Sequence, residues 1–223
     1  MSRSFGLVDS KVMEAEYFLD RILEAKLDFF GVQCDAVAFA ASARSITFAM
    51  QSSLAGNPAF DLWYAGKQRE MRTDPVARFF HEFRRISQHI GDNAVVGGSL
   101  RDGTVTYHFG PLPDLEKVPE ADVVAACSHY FRSTLAIVCD CYFEFRFVVD
   151  GQWHMTAEHW QSDGKNIEDA EAALGYPRGW TALHPGDESE RWHILRRHAD
   201  GCNIQQQFER WLGRRHPHPD DEK

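Results

Sequence analysis

The stretch from Asp74 to Gly91 constrains the fold more than any other part of the chain. Asp74-Pro75 is a helix start: the carboxylate can accept from free amide groups, and proline is tolerated at the first helical position. Val76, Phe79, Phe80, Phe83, Ile86 and Ile90 then recur at helical steps, and Gly91 suits the left-handed residue that closes a helix. A helix this apolar on one face must be covered by other elements. The flanking sequence supplies them, because apolar residues return at steps of three, four and seven through most of the first 150 positions.

Val12, Leu19, Leu23, Leu27 and Phe30 predict a helix from Ser10 to Phe30, with Tyr17, Phe18 and Ile22 widening its stripe and Gly31 as its stop. A second helix is expected from Asp35 to Leu54. It is rich in alanine and serine, which lets neighbours approach closely, with Val37, Phe39, Ile46, Phe48 and Met50 as core volume. Gly56-Asn57-Pro58 breaks it, and a third helix is predicted from Pro58 to Arg72. From Ala94 to Phe109 the residues favour strand around the turn signal Asp102-Gly103, so a β-hairpin is expected over about 94–110. Pro119 to Val149 reads as the longest helix. The alternation Phe143-Glu-Phe-Arg-Phe147 before Asp150-Gly151 is the mark of a second hairpin and leaves the end of that helix open. Short helices are expected after Asn166, from Glu188 to His198 and from Asn203 to Leu212, and a disordered tail over 216–223. The expected organisation is a mainly α domain over 1–150 carrying the hairpin, a helical extension over 151–215, and the tail.

Composition narrows the function. The net charge of -9 argues against a general nucleic-acid coat, whose affinity rests on neutralising phosphates. The charge is uneven, however. Lys67 to His89 holds six bases against three acids, a local +3, and Arg191 to Arg215 holds six arginines against two acids, a local +4. Such patches can focus an anionic substrate, and they are equally what solvated helix faces look like. No apolar run is long enough to span a membrane, and no signal peptide is read at the N-terminus. Five irregularly spaced cysteines predict a reduced, cytoplasmic setting. His154 and His159, like His193 and His198, are five apart and off the spacing that puts two ligands on one helix face. No specific metal and no cofactor is expected, since phosphate loops and nucleophile elbows are also missing. Ser128-His129 is adjacency without a triad, and no DNA-specific motif occurs.

Arg84 and His89 combine a permanent cation able to hold phosphate by paired hydrogen bonds with an imidazole able to move a proton near neutral pH. On an ideal helix, five steps place them about 140° apart, so they do not share a face. Three arrangements stay open: Arg85 is the true partner, four residues from His89; the helix loosens before Gly91; or a two-fold axis brings both pairs into one cleft. Arg44 lies among small residues on a helix expected to be buried. It needs a partner, Asp35 or Glu82, or else points into the same cleft.

An arginine followed after four residues by histidine in a helical bundle resembles the HEPN superfamily. Ala41-Ser-Ala-Arg-Ser-Ile-Thr-Phe48, Asp61-Leu-Trp-Tyr64 and Asp74-Pro75 leading to Phe83-Arg84 and His89 carry the resemblance over roughly residues 10–148. The resemblance implies a four-helix bundle and, in many members, a metal-independent endoribonuclease acting as a homodimer in toxin, defence or RNA-processing roles. Arg84 would clamp the phosphate, His89 would act as acid or base, and Arg85 and Arg44 would help bind RNA. Arg85 departs from the pattern, which has a small polar residue, often Asn, after the motif arginine. The rival expectation is a non-catalytic bundle for protein association, ligand sensing or toxin neutralisation, to which the aromatic content also points.

Overall fold

The computed structural model describes residues 4–183 and 186–221. It divides into two compact units, Met1–Val138 and Cys139–Lys223. Among the described residues the chain is mainly helical, with one small two-stranded antiparallel sheet.

The first unit contains α1 (Gly6–Glu24), α2 (Phe29–Ser53), α3 (Pro58–Thr73), α4 (Pro75–His89), β1 (Val95–Arg101), β2 (Thr104–Phe109) and most of α5 (Val123–Glu144). α1 packs along α2, and α2 packs in turn on α4 and β1. The core centres on aromatic rings. Phe80 lies between Tyr130, stacked at 4.7 Å, and Phe39, edge-on at 5.6 Å, while Phe109 of β2 lies 4.7 Å from Phe79. The α4 stripe read from Phe79, Phe80, Phe83 and Ile86 is buried as expected.

Local signals place the element ends. The Asn57 side chain accepts from the amides of Ala59 and Phe60, Asp74 accepts from Val76 N at 2.8 Å, and Gly91 has φ 93°. Asp102 (φ 50°) and Gly103 (φ 78°) form the hairpin turn, with Arg101 opposite Thr104.

Four expectations are corrected. α1 ends at Glu24, and Leu27 and Phe30 are 75% and 73% exposed, because Asp28 caps a new helix through Gly31 N at 2.9 Å. Gly31 is therefore in the first turn of α2, not the stop of α1. α2, with 25 residues, is the longest helix among the described residues. α5 starts after Asp122, whose carboxylate accepts from Ala125 N, and not at Pro119. The Phe143–Phe147 alternation forms no hairpin. The chain bends at Phe145 (φ -115°, ψ 26°) into α6 (Arg146–Val149), and Asp150 caps α7 (Gly151–His154) through Gln152 N and Trp153 N. An Asp-Gly pair serves a helix cap as readily as a turn, and here α7 takes it.

The second unit adds α8 (Ala157–Ser162), α9 (Ile167–Ala173), a 3-10 turn (Thr181–Leu183), α10 (Glu188–Arg196) and α11 (Gln205–Leu212). Its core gathers Met155, Trp160, Ile167, Ala170, Trp192 and Leu195. Asn166 and Asp169 form the expected reciprocal cap of α9. The C-terminal segment is anchored, against the expectation of a disordered tail. His216 is 5% exposed and bonds Asp150 Oδ2 at 3.1 Å, and Trp153 Nε1 donates to Pro217 O at 2.8 Å. Residues 222 and 223 of that expected tail lie outside the described residues.

Candidate phosphate-binding cleft

Arg84 and His89 stand on one unbroken helix. α4 remains helical through His89, since Ile90 N bonds Ile86 O at 2.8 Å, so the helix end is not loosened. Arg84 is half-buried with its Nε enclosed and without a hydrogen-bond partner. His89 is exposed at the last position of α4. Arg85 shares a face with His89, but its Nε donates to Glu82 Oε2 at 2.8 Å. Five steps on this helix set Arg84 and His89 about 140° apart, so they do not share a face.

Arg44 takes neither expected carboxylate. Asp35 accepts from Arg21 Nε at 2.8 Å, and Glu82 is turned to Arg85. Arg44 Nη1 instead donates to Thr47 Oγ1 at 2.6 Å, and its guanidinium carbon lies 4.3 Å from the centre of the Phe48 ring. Phe48, expected in the core, is 48% exposed and serves as a platform for that cation.

Arg44 lines a cleft of about 640 Å³ with Gln68, Met71 and Arg72 of α3, Ala77, Arg78, His81 and Glu82 of α4, and Tyr130 of α5. Helix spacing explains the α4 contribution: Arg78 and His81 are three apart and Glu82 four from Arg78, so all three share one face. Arg72 stands in the last turn of α3 and Arg78 in the first turn of α4, where the Asp74 cap redirects the chain. Arg44, Arg72 and Arg78 have no carboxylate partner among the described residues. The three arginines against Glu82 leave the lining at +2 with His81 neutral. Glu82 is largely committed, with Oε2 bonded to Arg85 and Oε1 3.8 Å from His81 Nε2. Tyr130 is buried, which pushes its phenol up to about 12, and Tyr64 beneath Arg44 is raised for the same reason. Both stay neutral hydroxyls at physiological pH and do not offset the arginines.

Unneutralised guanidiniums on three helices, facing one concave surface beside an imidazole, are suited to an anion with several oxygens. Of the four expected site residues, the cleft includes Arg44 and not Arg84, Arg85 or His89. The sequence signal for the cleft was present in the i, i+3 spacing of Arg78 and His81. Arg72 and Tyr130 carried none, because they reach the cleft through tertiary packing.

Other candidates resolve into local structure. His154 and His159 do come together, ring centres 4.6 Å apart, through the bend between α7 and α8. Burial first, and the neighbouring His154 second, holds His159 below the usual imidazole range. No group of three His, Cys, Asp or Glu able to hold a metal occurs among the described residues. His129 Nε2 lies 3.2 Å from Asp74 Oδ2, beside the α4 cap. No described helix is long and apolar enough to cross a membrane. No family model, curated protein or solved structure matches the chain.

Proposed function

We propose that the first unit binds a phosphate ester in the cleft between α2, α3, α4 and α5, and that RNA is cleaved there without a metal. The observation that carries this is the set of three arginines with no acidic partner around one concavity. A permanent cation left unpaired on a protein of net charge -9 is suited to an external anion. Arg72 and Arg78 grip the phosphate and stabilise charge as it develops, Arg44 adds a third cation to the cleft, and His81 exchanges the proton of a ribose hydroxyl or leaving oxygen. The order of four helices, a hairpin and a further long helix supports a HEPN-like bundle as the scaffold.

A second reading keeps Arg84 and His89 as the phosphate site and places it across a homodimer two-fold. The enclosed, unpartnered Nε of Arg84 favours it.

One experiment separates them. Labelled RNA is incubated with the protein in a chelator, beside the double variant Arg72→Ala/Arg78→Ala, His81→Ala and the double variant Arg84→Ala/His89→Ala. The cleft reading expects the arginine pair to lose binding, and His81→Ala to lose cleavage while still binding. Loss confined to the Arg84/His89 variant transfers the function to the dimer reading. RNA neither bound nor cut by the unaltered protein sinks both.

A further inference from the structure

Arg44 is held in a way that gripping phosphate alone does not require. A guanidinium is planar: its N–H donors lie in the plane and its two faces can stack on flat rings. One face of Arg44 rests on Phe48, 4.3 Å from the ring centre, and one in-plane donor is tied to Thr47 Oγ1 at 2.6 Å. The Thr47 hydroxyl donates to the Arg44 backbone carbonyl at 3.0 Å, so the oxygen that accepts from the guanidinium is itself oriented by the helix. A further bond ties Arg44 to the Tyr64 hydroxyl, and the guanidinium held in this way lines the cleft. Met71, Ala77 and the Tyr130 ring add apolar wall beside it, whereas Arg72 and Arg78 bring charge. A volume of about 640 Å³ is far larger than a phosphate needs and falls in the range of sites for small organic ligands.

We propose that the cleft takes a nucleoside phosphate, with the base stacked on the free face of Arg44 and the phosphate on Arg72 and Arg78. This rests on the phosphate reading above and adds a base-recognition element to it. The division of labour follows from geometry: a flat ring gains from the guanidinium face and the apolar wall, and a phosphate gains from in-plane donors. Because Phe48 supports Arg44 from behind, the stacking surface is in place before the ligand arrives. The nucleoside phosphate has two sources, a free nucleotide or one residue of a single-stranded RNA.

The test is calorimetric titration of the full chain with inorganic phosphate, ribose 5-phosphate, adenosine 5′-monophosphate and a tri-adenylate. Stacking one base on a side chain is expected to make the monophosphate bind about tenfold tighter than ribose 5-phosphate, or more. In Arg44→Lys, which keeps the charge and loses the plane, that ratio is expected to fall toward one. Phe48→Leu, at an exposed position, provides a second variant in which the ratio falls because the support of the plane is lost. Tri-adenylate binding tighter than the monophosphate assigns the site to a strand, and the reverse order assigns it to a free nucleotide; both keep the proposal. Equal affinity for ribose 5-phosphate and the monophosphate in the unaltered protein overturns the stack and leaves the phosphate site standing. Failure of every phosphate compound to bind overturns both.

Discussion

Glu171 offers a sharp test of the physical account of the second unit. Its side chain is fully buried, yet it carries four contacts. The amides of Gly179 and Thr181 donate to it, the latter at 2.8 Å, as do Thr181 Oγ1 at 2.5 Å and Arg191 Nη2 at 3.4 Å. These bonds pin the loop after α9 and the 3-10 turn to the helix. Replacement by alanine leaves the buried amide of Thr181 and the half-buried amide of Gly179 without this acceptor, at roughly 1–3 kcal/mol each. Arg191 can lean toward Glu168, 3.9 Å away, which limits its share. The expected loss for Glu171→Ala is therefore about 4 kcal/mol, within the range for breaking a buried charged network. Against the roughly 5–15 kcal/mol of an ordinary domain, that removes much of the urea resistance of this unit. Tryptophan fluorescence during urea unfolding is the assay, since five of the six tryptophans (153, 160, 180, 192 and 211) follow Val138. Burial alone would raise the Glu171 carboxyl, but the bonds from Thr181, Gly179 and Arg191 together hold it below the usual carboxylate range. A folded value below the unfolded one means that stability is present above the ordinary range and lost as pH falls through the folded value. The gap between the protein and Glu171→Gln is expected to shrink on acidification. An alanine variant within about 0.5 kcal/mol of the parent, the noise of a typical surface substitution, refutes the reasoning. So does a gap that widens in acid.

Removing two cleft cations has a salt signature: for single-stranded RNA, Arg72→Ala/Arg78→Ala is expected to reduce the slope of log affinity against log salt by about 1.4, from roughly 0.7 per charge. An unchanged slope places the RNA contacts elsewhere. A β-carbon at Gly31 would lie 2.2 Å from Asp28 Oδ2, so Gly31→Ala is expected to displace the α2 cap and cost about 1 kcal/mol by thermal denaturation. Phe80→Ala empties a ring position that is 1% exposed and stacked on Tyr130, for an expected loss of about 3–5 kcal/mol followed by helical circular dichroism.

Where sequence and structure part, the reason is the range of the interaction. The start of α3 at Asn57-Pro58, the start of α4 at Asp74-Pro75, its close at Gly91 and the turn at Asp102-Gly103 were legible because each depends on bonds within a few residues. Leu27 and Phe30 misled because periodicity counts apolar positions without seeing that Asp28 caps a new helix. Asp150-Gly151 misled because one local signal serves two local structures. Arg84 and His89 stand out for their chemistry, and helix spacing alone places them about 140° apart.

By itself, then, the sequence determined the helical character of the chain, the hairpin, the starts of α3, α4, α9 and α10, and the buried stripe of α4. All follow from backbone capping and from apolar residues one turn apart. Only the tertiary structure decided which cations face one another. Arg44, Arg72, Arg78 and His81 span 38 positions on three helices, and their common cleft exists because the Phe39, Phe80 and Tyr130 rings bring α2, α4 and α5 together. The buried networks of Glu171 and His216 are of the same kind: the burial and the partners that define them are assembled by packing, not by spacing along the chain.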